Sequence, residues 1–231
     1  VTIPPSLETV LSRIGETQIP LPPPMALFIG ILVFIAVLGP TLWKVTTHVN
    51  TVVHEGAHAL VGLGAGRKLR SVKINPKGSG TTDLEPKSGF GYGVAAFVGY
   101  VGASGAGLLA AWLISIGRIV AVLWLGGLLL VAMVLMVRNV FGGIVILACG
   151  ALLYLILRYM TAGVETAVAY GLTWFLLLSA PKDALRVAKK PKDEPDAKAL
   201  AGMTFLWPSA WCFLWLVGTI AALVAGTAIL V

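Results

Sequence analysis

Charge is scarce in this chain. Only 12% of its 231 residues are Asp, Glu, Lys or Arg, while 58% are hydrophobic and the mean hydropathy is +0.92. A soluble domain carries about one-quarter charged residues. Uncharged runs recur along most of the length, which excludes an ordinary soluble domain and predicts an all-α polytopic membrane protein. Cysteine is nearly missing. Cys149 and Cys212 both fall in apolar runs, so a disulfide framework and a four-cysteine zinc site are excluded. Histidine is limited to His48, His54 and His58, too few for a histidine-rich cluster. A secretory signal pattern is missing too. The first 24 residues carry Glu8, Arg13 and Glu16, end in Pro20-Leu21-Pro22-Pro23-Pro24 and contain no apolar h-region. A short interfacial helix over 6–15, or a loose tail, would fit there. No internal repeat is evident. The net charge of +7 does not imply nucleic-acid binding, because the basic residues flank the apolar runs, where the positive-inside rule puts them.

About seven transmembrane helices are expected, over 25–43, 44–64, 92–116, 119–137, 140–157, 162–180 and within 204–231. Residues 1–24 would then form an N-terminal cytoplasmic segment, and 25–231 a membrane domain with polar connections at 65–92 and 181–203. Pro40 should kink or end the first span. In the first connection Leu69 to Ile74 alternates and Pro76-Lys77-Gly78-Ser79-Gly80 is a turn signal, which predicts a short β-hairpin after the second span. It would be a plain hairpin, or one whose free edge receives an extended segment by strand addition. The third span opens on Gly99, Gly102, Ala103, Ser104, Gly105 and Gly107, a run that lets helix backbones approach closely. Trp207, Trp211 and Trp215 are expected as interfacial anchors of the last span. Seven crossings put fourteen of the seventeen basic residues on the side of the N-terminus and leave Lys44, Arg118 and Arg158 on the other. That asymmetry predicts a cytoplasmic N-terminus.

The second span is the anomaly. It holds Thr46, Thr47, His48, Asn50, Thr51, His54, Glu55 and His58, and such residues in a span face a bundle interior or a wet cavity. Within it, His54-Glu55-Gly56-Ala57-His58 reads H-E-x-x-H. Residues four apart share a helix face, so both histidines can reach one metal ion. Glu55 follows the first ligand directly, where it can hold and deprotonate a metal-bound water; this is the zinc-hydrolase arrangement. His48 lies about 240° around the helix from His54 and should face elsewhere. A catalytic zinc has three protein ligands and an open position, so a carboxylate or amide oxygen must complete the set. Asp196, Asp183, Glu165 and Asn139 are the candidates.

These features together resemble the site-2 protease family of zinc intramembrane metallopeptidases, in particular a branch of short bacterial multi-span members. The resemblance runs from about residue 45 to 220. It rests on His54-Glu55-Gly56-Ala57-His58 in a span, the basic hairpin-like connection and the glycine-rich span. Further matches are Arg138-Asn139-Val140-Phe141-Gly142, Tyr170-Gly171-Leu172-Thr173-Trp174, and Asp196-Ala197 ahead of Leu200-Ala201-Gly202-Met203-Thr204. The wider family takes its third ligand from an L-D-G motif that this chain lacks. In the short branch, the resemblance makes Asp196 the third ligand.

The resemblance implies metal-assisted hydrolysis of a peptide bond in an unwound transmembrane segment of another protein. Glu55 would act as general base and acid. Asn139 or Arg138 would contact the oxyanion or the substrate backbone. The implied partners are a membrane-protein substrate or partner subunit and the lipid bilayer, in a bacterial cytoplasmic membrane. Two other readings compete: a zinc-binding membrane subunit of a larger complex that cuts nothing, and a transporter. The transporter is disfavoured because the ionisable residues cluster on one helix.

Overall fold

The structure is a computed structural model and describes Arg13 and residues 15–231. Apart from Arg13 and Gly15, the expected helix over 6–15 lies outside the described residues. Helices α1 (Pro23–Leu38) and α2 (Pro40–Gly64) come first, followed by strands β1 (Lys68–Ile74) and β2 (Gly80–Glu85). Then come α3 (Phe90–Ser115), α4 (Ile119–Met136), α5 (Val140–Tyr159) and α6 (Ala162–Ala188). A 3₁₀ turn at Pro191–Asp193 leads to the short α7 (Pro195–Met203) and to α8 (Pro208–Leu230). The chain is thus mostly helical, with one small antiparallel sheet, as the sequence predicts.

The span count differs from the expected seven. Five helices, α3, α4, α5, α6 and α8, are long and apolar enough to cross a bilayer singly; α1 and α2 meet at a 100° bend and pass only as one broken span, a sixth. At 16 residues α1 is short of the ~20 that a crossing needs, and α2 is too polar. The break has a local cause. Pro40 supplies no N–H and pushes Gly39 into extended backbone (φ −65°, ψ 120°). The carbonyl of Val37, freed by the break, accepts a hydrogen bond from the Lys182 ammonium of α6, which also lies 3.7 Å from the centre of the Trp43 ring.

Two apolar clusters mark the ends of the bundle. At one end Ala26, Ala111, Ile114, Ile119, Tyr170 and Leu230 pack together, joining α1, α3, α4, α6 and α8 without any residue of α2. At the other end Ala96, Tyr100, Ala184, Ala197, Cys212 and Trp215 pack together. Residues of α2 instead join β1, α4 and α5 through Val52, Ala59, Val72, Ile74, Met133 and Ile146. So within this broken span α1 reaches the far cluster, whereas α2 stays in the half that holds the hairpin. The described N-terminal residues lie at the far end. Arg13 pairs with Glu165 and donates to the Leu157 carbonyl at 3.3 Å, and the Gln18 N–H donates to the Gly117 carbonyl at 2.8 Å. Leu230 at the chain's end belongs to that same far cluster. Both described ends therefore sit together, opposite the hairpin. Arg13 leaves the basic group to which a seven-span count assigned it, and Lys44, on α2, joins that group.

The hairpin forms where alternation and turn signal predict it. Its register pairs Val72 with Thr82 and Ile74 with Gly80, and Val72, Ile74 and Leu84 are buried. The turn closes with Gly78 at φ +77°, and its Asn75 N–H donates to the Ser79 carbonyl at 2.8 Å. The two edges differ. On the outer edge of β1, Val72 bridges to Val137 and its carbonyl accepts from the Arg138 N–H at 2.9 Å. The Asn139 side chain accepts from the Ile74 N–H at 3.0 Å and donates to the Ile74 carbonyl at 2.7 Å. Among the described residues no strand pairs with the outer edge of β2. Trp215 is another departure. It is fully buried, donating to the Phe97 carbonyl at 3.0 Å, and so is no interfacial anchor, whereas Trp207 is exposed.

The topology is testable by labelling single cysteines in a background lacking Cys149 and Cys212. The exposed positions Glu16→Cys and Tyr159→Cys should react with an impermeant maleimide from one side of the membrane, and Lys192→Cys from the other. Labelling of Glu16→Cys together with Lys192→Cys would restore an odd number of crossings.

Candidate metal centre

Helix α2 presents Asn50, His54 and His58 at intervals of four, one stripe along one face. That face meets α3 at its glycine-rich part. A Cβ on Gly99 would lie 2.3 Å from His58 Cε1 and Nε2 and 3.0 Å from His54 Cε1, and one on Gly102 would lie 2.6 Å from the Ala57 Cβ. Only glycine at 99 leaves room for the two rings, so the small-residue run is where α3 packs against the H-E-x-x-H helix. His58 Nδ1 lies 2.7 Å from the Ala95 carbonyl. A carbonyl only accepts, so Nδ1 carries the proton and the Nε2 lone pair points away from it, into the site. The His54 ring stands edge-on to Tyr100, with centroids 4.7 Å apart.

Asp196 completes the group. Its Oδ2 lies 3.1 Å from His58 Nε2 and 3.8 Å from His54 Nε2, and the two Nε2 atoms are 3.0 Å apart. Among the described residues this is the group of three that could hold a metal ion. The geometry tests well. Three donors bound to one ion at about 2.0–2.2 Å would stand roughly 3.3 Å apart in a tetrahedron. Lone pairs facing one another this closely also repel unless a cation lies between them. Two imidazoles and one carboxylate leave a fourth position open, the pattern of catalytic rather than structural sites. Burial alone would raise the Asp196 carboxyl, but the positive charge of His58 and His54 in their protonated forms outweighs it and holds the group well below the usual carboxylate range, as a bound cation in the same place would. It therefore stays ionised, as a ligand must.

The third member of the group, Asp196, comes from far along the chain and is steered by α6. Asn50 donates to the Asp183 carboxylate and accepts from the Ser179 hydroxyl at 2.9 Å, which fixes α6 to α2 one turn from His54. Asp183 also accepts from Arg186 Nε at 3.2 Å. From there the chain turns into α7, whose Ala197 and Leu200 are buried against Ala96, Tyr100, Ala184 and Val187. Burial of that face turns Asp196, in the first turn of α7, toward the histidines.

A cavity of about 640 Å³ lies over the group, lined by His54, Glu55, His58 and Asp196 and by hairpin residues from Gly78 to Leu84. Glu55 is buried at 4% exposure, and its Oε2 accepts from Thr82 Oγ1 at 2.6 Å. The other candidates do not join the three-residue group, although Asp183 lines the same cavity. Asp183 is tied to Asn50 and Arg186, and Glu165 to Arg13 at the far end. Asn139 has its amide engaged by Ile74 and Arg138 follows the edge of β1; neither lines the cavity, so the structure does not bring these two to the site. His48 faces Phe141, centroids 5.3 Å apart, away from the site. Asn50 was within reach of sequence reasoning, since it stands four residues before His54. Thr82 and Tyr100 carry no local signal.

The fold and the site define a class, a multi-span helical membrane protein with a two-histidine, one-carboxylate centre sunk among its spans. The chain matches the Peptidase M50B-like family over residues 27–226 and belongs to that family, of the site-2 protease group. No curated protein and no solved structure matches it.

Removing one ligand should empty the centre. Asp196→Ala should lose most of the zinc that copurifies with the wild type, as read by metal analysis. Asn50→Leu, which removes the tie between α2 and α6 but no hydrogen bond to the three residues of the group, should weaken zinc binding less than Asp196→Ala does. Full zinc in Asp196→Ala would remove Asp196 from the ligand set.

Proposed function

We propose that the chain is an intramembrane zinc metalloprotease that hydrolyses a peptide bond in or near a transmembrane segment of another membrane protein. The observation that carries this reading is the convergence of His54, His58 and Asp196 at the wall of a cavity that Glu55 shares. The family supports it at the level of a metallopeptidase.

His54, His58 and Asp196 would hold the zinc, which supplies Lewis-acid polarisation of the scissile carbonyl and a more acidic water. The residues of the chain do the rest. Glu55 takes the proton from the attacking water and gives it to the leaving amine. The cavity admits water to a site otherwise closed in by α2, α3 and α7. A helical substrate hides its carbonyls in internal hydrogen bonds and must open before attack. The outer edge of β2 supports a way to hold the opened segment, since its backbone borders the cavity while the edge of β1 is already paired. An extended segment added there would exchange its helical hydrogen bonds for ladder bonds.

Orientation follows from charge. With Arg13 at the far end and Lys44 in the hairpin half, fourteen of the seventeen basic residues still gather on the hairpin side. We therefore place that side in the cytoplasm and both described ends across the membrane.

Glu55→Gln is the decisive variant. It should keep its zinc and lose about 10²–10⁴-fold in cleavage of a co-expressed single-span membrane protein that the wild type cuts, which is the range for removing a general base. Undiminished cleavage would refute the protease reading. Zinc bound by a wild type that cuts nothing would identify a non-proteolytic metal-binding subunit instead.

A further inference from the structure

The acid at position 55 needs a partner. It lies on α2 at 4% exposure, and a carboxylate so buried is costly unless hydrogen-bonded. Among the described residues no basic side chain pairs with it, and its carboxylate has one hydrogen-bond partner, the Thr82 hydroxyl, 2.6 Å from Oε2. The same hydroxyl lies 3.2 Å from the backbone carbonyl of Glu55, so both of its acceptors belong to one residue. Two positions earlier on the same face of β2, Gly80 comes up against the acid. A Cβ there would lie 2.5 Å from Glu55 Cγ and Oε1.

The strand is itself held. Thr82 is opposite Val72 and Gly80 opposite Ile74, both fully buried. The Thr51 hydroxyl donates to the Gly78 carbonyl at 2.9 Å, which ties the turn to α2 one turn before Glu55. A β-branched side chain in a strand has little freedom about χ1, so the Thr82 hydroxyl is aimed by the backbone of β2.

We propose that Thr82 is a positioning residue for Glu55: its hydroxyl fixes Oε2, Gly80 leaves room for Oε1, and the base keeps Oε1 for the proton it carries. The proposal rests on the proteolytic reading above. A carboxylate turns freely about its last torsion, and a base is effective only when the right lone pair faces the proton. A charge-assisted hydrogen bond to one oxygen removes that freedom while leaving the second oxygen to react. The Thr82 hydroxyl bonds only to Glu55 and to none of the three candidate metal ligands, so its loss should spare metal and substrate binding and slow only the chemical step.

The test uses the full-length protein in detergent micelles with fluorescein-labelled β-casein, an unfolded polypeptide that needs no unwinding. Cleavage kinetics and zinc content are measured for the wild type, Glu55→Gln, Thr82→Val, Thr82→Ser and Gly80→Ala. Thr82→Val, of nearly the same shape, should lower kcat roughly tenfold or more, the scale of one hydrogen bond to a charged group, with KM and zinc unchanged. Thr82→Ser should recover most of the rate, and Gly80→Ala should lose kcat although the hydroxyl remains. A wild-type kcat in Thr82→Val overturns the proposal. A loss that serine does not relieve, or one that follows a loss of zinc, does so as well. If the wild type does not cut, or Glu55→Gln cuts as well as the wild type, the proteolytic reading falls and this proposal falls with it; a cutting wild type with an inert Glu55→Gln isolates Thr82.

Discussion

The contact of α2 with α3 at Gly99 is the constraint on which the site depends. Two imidazoles on one helix face reach the same point only if nothing stands between them and the neighbouring backbone, and here the Cα of residue 99 is that neighbour. The close approach also puts the Ala95 carbonyl within 2.7 Å of His58 Nδ1, which favours the Nδ1–H form and leaves Nε2 facing His54 and Asp196. Tyr100, one residue beyond, closes the side of His54 and is backed by Trp215, centroids 4.5 Å apart. One short stretch of α3 thus sets spacing, ring orientation and access together. Side chains in its place would separate the helices without unfolding either.

Polar groups placed among apolar spans carry a desolvation cost that only partners offset. The chain meets this by pairing across elements. Asn50 takes Asp183 and Ser179, Glu55 takes Thr82, and His58 takes the Ala95 carbonyl. Each pair joins α2 to a different element, so the polar residues that make α2 a poor span are also the ones that fix α3, α6 and β2 around it. The three atoms of the candidate metal group are the exception. They point at one another, and an ion bound among them would help hold α7 to α2.

The parts legible in the sequence were those with a local cause. Four-residue spacing exposes H-E-x-x-H, alternation with a glycine turn exposes the hairpin, and the small-residue run announces the tight helix contact. The count of crossings had no such local cause. Hydropathy reads α1 and α2 as two spans because Pro40 separates them, and only the tertiary contacts of α2 keep it from reaching the far cluster. The charge rule could not detect this. Moving Arg13 to the far side and Lys44 to the hairpin side leaves the basic count on each side unchanged, so two topologies satisfy one rule. Asn139 misled for a related reason. An amide between spans suits an oxyanion contact or a strand cap equally, and only the position of Ile74 decides.

The two edges of the hairpin divide the labour. Val137, Arg138 and Asn139 occupy the outer edge of β1 with main-chain and amide hydrogen bonds, which removes the pairing that an unprotected edge invites. The remaining edge, on β2, borders the cavity. Its alternate residues Gly80 and Thr82 press on Glu55, whereas its backbone faces outward for pairing. On the proposed reading the strand has a side-chain face for the base and a main-chain edge for a substrate segment, and the two are linked by the planar peptides between them. A segment that paired with β2 out of register would put a different carbonyl opposite the base. On the proposed reading, register along β2 would select the scissile bond, and the buried pairing of Val72 and Ile74 with β2 fixes the strand itself relative to Glu55.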